Sequence, residues 1–276
     1  MSSFETYDET SRHYDATRQA VGVEIILGCL ARHARPLSEL RLLDAGCGTG
    51  AYAAALAGYL GRIEALDFSE GMLARARAKL AEHERAGRIS FHRGSITALP
   101  FADSTFDAVM VNQVVHHLGD AAEDFARLRQ AVAQFARILR PGGVLVFNHC
   151  AQEQLRAGYW YYHLAPQAQA RVLRNFAPLE TLRAILEEVG FDHRGSFVPL
   201  DAVCQGAAYF NGRGPLDKAW RDGDSFWALV DPTELEAGLA QVRAHDEAGT
   251  LEAFVAEQDA GRPAVGQITF LCAQRG

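Results

Sequence analysis

The sequence predicts an α/β protein: a doubly wound, mostly parallel seven-stranded sheet with a helical cap inserted between its last two strands. Three observations carry that prediction. Short apolar runs alternate with helical patterns through the first half, which implies right-handed βαβ crossovers and a parallel sheet. A cluster of glycines follows the first apolar run directly. Finally, residues 201–266 hold turn and helix signals over a stretch too long for a loop, before a last apolar run.

The elements follow in chain order. Residues 40–45 (LRLLDA) are a buried strand, and the Ala-rich residues 51–60 a helix. A second strand at 62–67 (RIEALD) leads to a helix over 70–84, with Ser69 placed as its cap. Strands are expected at 89–93 and 106–112, then a helix over 122–139. Pro141-Gly142-Gly143 reads as a turn before a fifth strand at 144–149. Residues 178–189 put Leu179, Leu182, Ile185, Leu186 and Val189 on one helix face, with Pro178 in the first turn and Gly190 at the stop. A sixth strand is expected at 197–200. Asp231-Pro232-Thr233-Glu234 opens a further helix, and 267–273 (QITFLCA) is the closing strand. The sheet domain is therefore assigned to 1–204 and 263–276, and the cap to 205–262.

Composition sets the outer bounds. The chain has 276 residues, of which 49% are hydrophobic and 22% charged, so a large core is available. The net charge of −7 argues against a nucleic-acid partner. No window of about 18 apolar residues appears, so no membrane span is expected, and the polar start lacks the pattern of a signal peptide. Five dispersed cysteines without a CxxC pair predict neither disulfides nor a metal site. A reducing cytoplasm is the expected location. The oligomeric state is left open, with a homodimer among the arrangements the sequence allows.

The strongest chemical signal is Asp44-Ala45-Gly46-Cys47-Gly48-Thr49-Gly50, between a strand and a helix. The glycines allow a tight turn and close backbone approach to a ligand. The acid ahead of them would attract a cationic group and repel a pyrophosphate. No Walker A lysine is present. Asp67 ends the second strand, where a carboxylate can accept both hydroxyls of a ribose.

These segments resemble class I S-adenosylmethionine-dependent methyltransferases, and more narrowly the small-molecule "type 11" group typified by ubiquinone/menaquinone methyltransferases. The resemblance rests on LLDAGCGTG (42–50), ALDFSEGML (65–73), GSITALPFADSTFDAV (94–109), VNQVVHHL (111–118) and ILRPGGVLVF (138–147). It implies a Rossmann-like methyltransferase fold, S-adenosylmethionine as cofactor, and a small-molecule acceptor. It also implies that the loop from Asp44 through Gly46, Cys47, Gly48 and Gly50 holds the methionine end, and that Asp67 binds the ribose. Phe68 and Met72 would pack on adenine, and Ser95 and Ile96 would face its edge. The family usually has Asp where Ser95 stands. Asn112 would line the amino end, and Tyr14 and Arg18 would fold over the cofactor.

The acceptor side is less defined. His116 and His117 are candidate general bases, and as neighbours at most one can act. His149 and the aromatic run containing Tyr159, Trp160 and Tyr162 are candidate acceptor-binding residues. The rival readings are an NAD-dependent oxidoreductase on a similar fold, and a non-catalytic S-adenosylmethionine-binding protein. A nucleic-acid amino methyltransferase is disfavoured, because Asn112-Gln113-Val114-Val115 replaces that group's Pro-Pro-aromatic motif.

Overall fold

The computed structural model describes residues 19–118 and 121–276. Tyr14 and Arg18 lie outside the described residues. The elements used below are α1 (Val23–Leu30), β1 (Arg41–Ala45), α2 (Ala51–Leu56), β2 (Arg62–Asp67), α3 (Glu70–Lys79), α4 (Ala81–Arg85), β3 (Ile89–Arg93), β4 (Phe106–Asn112), α5 (Ala126–Ile138) and β5 (Leu139–His149). They continue with α6 (Gln152–Ala157), α7 (Pro166–Asn175), α8 (Leu179–Glu188), β6 (Phe191–Phe197), α9 (Lys218–Arg221), α10 (Pro232–Glu247), α11 (Leu251–Gln258), α12 (Arg262–Val265) and β7 (Thr269–Arg275).

The seven strands form one sheet in the order β3-β2-β1-β4-β5-β7-β6. β1 pairs parallel with β2 and β4, β2 with β3, and β4 with β5. β7 alone runs antiparallel, between β5 and β6. Strand order reverses between β1 and β4, which makes their carboxyl ends the topological switch point.

The inner strands are covered on both faces and so read as apolar runs, while β3 and β6 at the two edges do not. Leu43, Val109, Leu145 and Leu271 face α5 and α8. Leu42, Met110, Val146 and Phe270 face α1, α2, α3 and the cap. The cap packs as one mass with the 159–164 turn. Trp160, Tyr161, Tyr209 and Phe226 are all buried in the same core cluster as the sheet face.

Three expectations need correction. The sixth strand is not at 197–200 but at Phe191–Phe197. It is an edge strand, mostly solvent-exposed, so it lacks the apolar run that marks buried strands; Val198 and Leu200 follow it in an exposed bend. The helix expected over 70–84 is two helices that break at Leu80. Pro141-Gly142-Gly143 does not precede β5 but lies within it, where the pairing to β4 slips between Phe106 and Ala108. Such a bulge tolerates a proline without a ladder N–H.

Candidate functional site

β1 delivers Asp44 to the switch point, and the chain then turns through three glycines. Gly46, Gly48 and Gly50 have φ of 82°, 53° and 79°. At Gly46 the choice is forced twice: the backbone is left-handed, and a Cβ would lie 2.5 Å from the Val114 side chain. At Gly48 a Cβ would meet nothing within 4 Å. The loop therefore presents bare backbone to a crevice lined by Asp44, Gly46, Cys47, Gly48, Thr49, Asn112 and Gln113, with Val21, Tyr52, Asn148 and Cys204 opposite.

Asp67 braces the loop from β2. One carboxylate oxygen accepts the Gly48 N–H at 2.8 Å and the other accepts the Ser69 N–H at 2.9 Å. Burial pushes the Asp67 carboxyl up, and the backbone donors of Ser69, Gly48 and Phe68 oppose that shift. Asp44 has no such relief. It is 1% exposed, and its Oδ2 has no hydrogen-bond partner among the described residues. Burial, with the nearby Asp67 charge, raises its carboxyl to about 8. Both side-chain polar atoms of Asn112 are likewise buried without partners among the described residues. Unsatisfied buried polar atoms are costly, and three of them, on Asp44 and Asn112, line this one crevice. A cationic group that also donates hydrogen bonds would satisfy Asp44, and an amino-acid end would satisfy Asn112.

The remaining sequence candidates fall in four places. Phe68 and Met72 flank the start of α3, Phe68 61% exposed and Met72 buried. Ser95 and Ile96 follow β3, with the Ser95 hydroxyl 2.8 Å from that of Thr97 and Ile96 packed in the core beside Leu66. His116 and His117 sit in the turn after β4. The His116 ring stacks on Phe176 with centroids 4.8 Å apart. Burial pushes the His117 imidazole down to about 4, so it is neutral at physiological pH. His149 closes β5 and is buried. Its Nε2–H donates to the Ala177 carbonyl at 2.8 Å, which fixes the tautomer, and burial lowers it to about 4.

Tyr159, Trp160 and Tyr162 do not line the crevice. Trp160 is fully buried and its indole N–H donates to the Tyr209 carbonyl at 2.8 Å. Tyr162 stacks on Phe226 with centroids 3.9 Å apart. These rings join the cap to the sheet. Conversely, sequence reasoning gave no site role to Val21, Tyr52, Gln113, Asn148 and Cys204, all of which line the crevice. One signal was available: Asn112-Gln113 and Asn148 are polar residues at the carboxyl ends of buried parallel strands.

The comparisons with known proteins bear on the same region. The family described as "Methyltransferase domain" matches residues 43–147. A demethylmenaquinone methyltransferase from Clavibacter sepedonicus is 31% identical over 189 residues, covering 66% of this chain and 73% of that protein. The chain is a class I S-adenosylmethionine-dependent methyltransferase of the type 11 group. Its cofactor is S-adenosylmethionine, and the dehydrogenase alternative falls with that assignment. A malonyl-[acyl-carrier protein] O-methyltransferase from Erwinia pyrifoliae is 35% identical over 127 residues, 46% of this chain and 44% of that protein. A solved structure from Anabaena variabilis, attributed to methyl transfer in an antibiotic biosynthesis pathway, superimposes with a TM-score of 0.69. It covers 91% of this chain and 96% of its own, at 22% identity, and so speaks to the fold.

Proposed function

We propose that this methyltransferase acts on a small-molecule acceptor, with the cofactor seated along the glycine loop. Asp44 and Asn112 then face its amino-acid end, and Asp67 accepts from the ribose hydroxyls. Phe68 and Met72 flank the adenine, with Ser95 and Ile96 at its edge. The observation that carries this reading is the unpartnered Asp44 oxygen beside the unpartnered Asn112 amide, in the crevice that the glycines leave open. The bound cofactor supplies an activated methyl on a sulfonium. The protein's task is to align an acceptor with it and to keep water out.

The acceptor would enter between the cofactor and the aromatic-rich cap. His117 is the candidate to take a proton from a protonated acceptor, being neutral at working pH. Trp160 and Tyr162 support this wall through packing.

Calorimetric titration tests the cofactor assignment. S-Adenosylmethionine should bind at micromolar or better affinity and NAD should not. Asp67→Ala should weaken binding by 100-fold or more, which corresponds to about 3 kcal/mol. Unchanged affinity in Asp67→Ala would remove the ribose assignment.

A further inference from the structure

The crevice is framed by a ring of hydrogen bonds that none of the motifs predicts. It begins at Val21, just before α1, whose carbonyl accepts the Tyr52 hydroxyl at 3.1 Å. Tyr52 accepts in turn from Asn148 Nδ2 at 2.9 Å. Asn148 Oδ1 accepts from Gln113 Nε2 at 2.8 Å, and Gln113 Oε1 accepts from the Cys150 thiol at 3.4 Å. The thiol also lies 3.5 Å from the Tyr159 hydroxyl, which donates to the Gln267 carbonyl at 3.1 Å. Gln267 Oε1 accepts the Cys204 N–H at 2.7 Å, and the Cys204 carbonyl accepts the Gln19 N–H at 3.3 Å. Gln19 and Val21 close the circuit through the backbone.

The ring joins the walls other than the glycine loop itself: the helix after that loop, the ends of β4 and β5, the entry to β7 and the Cys204 turn ahead of the cap. It is also built under strain. Gln113 holds a left-handed φ of 53°, uncommon for a residue with a side chain. Its N–H donates to the Asn148 carbonyl at 3.0 Å, so backbone and side chain both tie it to Asn148. From Cys150 through Gln113 and Asn148 to Tyr52 the donors run one way, whereas Tyr159 and Cys204 both donate into Gln267, which closes the far side. Along the first run each amide gives its N–H forward, leaving the Tyr52 proton directed at Val21.

We propose that Tyr52, Asn148 and Gln113 are positioning residues whose ring holds residues 19–21 and the Cys204 turn as one wall, so that filling the cofactor crevice also orders the entry to the cap. The proposal rests on the cofactor placement given above only for its ligand-bound half. Tyr52→Phe keeps the aromatic side chain but removes both the donor to Val21 and the acceptor of Asn148 Nδ2. Asn148→Asp keeps the shape but removes the donor to Tyr52, whose hydroxyl then turns to the new carboxylate and releases Val21.

Hydrogen exchange on the full chain, read by mass spectrometry, tests both halves. In the ligand-free protein either variant should speed exchange at 19–23 and 203–206 about tenfold, and leave α5 and α8 unchanged. With S-adenosylhomocysteine as the probe, wild type should gain protection at 44–50, 19–23 and 203–206 together. Tyr52→Phe should gain it at 44–50 alone, with affinity weakened about five- to twentyfold. Wild-type exchange in both variants without ligand would overturn the ring. A wild-type protein that fails to bind the probe would overturn the cofactor placement instead, while the ligand-free comparison still judges the ring.

Discussion

Replacing Asp44 by Asn should separate stability from binding. Asp44 is buried with one oxygen unpartnered, and its carboxyl stands at about 8 against an ordinary 3.8. The folded state therefore keeps a proton that the unfolded chain gives up from about pH 4 upward. Between these values the native state binds more protons, so stability falls as pH rises. At about 1.4 kcal/mol per pH unit, the loss reaches at most about 6 kcal/mol once the pH passes 8. Asn has nearly the same shape and cannot ionise. Asp44→Asn should match wild type near pH 4 and exceed it by roughly 2–4 kcal/mol at pH 8, after allowance for local relaxation. Urea denaturation at several pH values measures this directly. The same variant should bind S-adenosylmethionine more weakly. Wild type should release close to one proton per ligand at pH 7, because a cation beside Asp44 favours its ionised form. Calorimetry in buffers of different ionisation enthalpy reads that proton, and the variant should release none from this site. Parallel pH–stability curves for the two proteins, or equal proton release, would refute the argument.

Other outcomes follow from the same geometry. His117→Ala should lower turnover while sparing cofactor affinity, and the wild-type rate should show no His117 titration between pH 5 and 8, since that imidazole protonates only near 4; steady-state kinetics against pH check both. Gly46→Ala should cost roughly 2–4 kcal/mol by chemical denaturation, because it adds a Cβ in left-handed backbone against Val114. Trp160→Phe should destabilise by about 2–3 kcal/mol in the same assay, through a lost ring volume and an unpaired Tyr209 carbonyl, with cofactor affinity nearly unchanged.

What the sequence reveals depends on how locally each feature is encoded. β1, β2 and β4 were legible because strands buried on both faces are short apolar runs ended by polar or glycine residues, and β3, an edge strand, because Ile89 and Phe91 alternate with more exposed residues. The glycine loop and Asp67 were legible because close backbone approach and a strand-end acid each leave a local mark. β6 was misplaced because an edge strand spends exposed polar residues such as Asp192, His193 and Arg194, while the exposed Phe197-Val198-Pro199-Leu200 bend mimics a buried run. The frame of the crevice was hidden for another reason. Tyr52, Gln113, Asn148, Cys204 and Gln267 meet only through tertiary contacts, and of these only Gln113 and Asn148 leave a local mark, as polar residues at the ends of buried strands. The aromatic run at 159–162 was visible as a signal, but density alone does not say which way rings face. Trp160 and Tyr161 turned inward to bind the cap to the sheet.

The place of β7 has a consequence for how the chain is made. Among the described residues β6 has no neighbour in the sheet except β7, which wedges between it and β5. While a ribosome is still building the cap, β6 cannot pair, and the β5 edge stays open to stray strands. Only when residues 269–275 emerge can both gaps close at once. Maturation of this enzyme should thus be governed by a late, long-range docking event, and chaperones that shield bare strand edges should matter most in that interval.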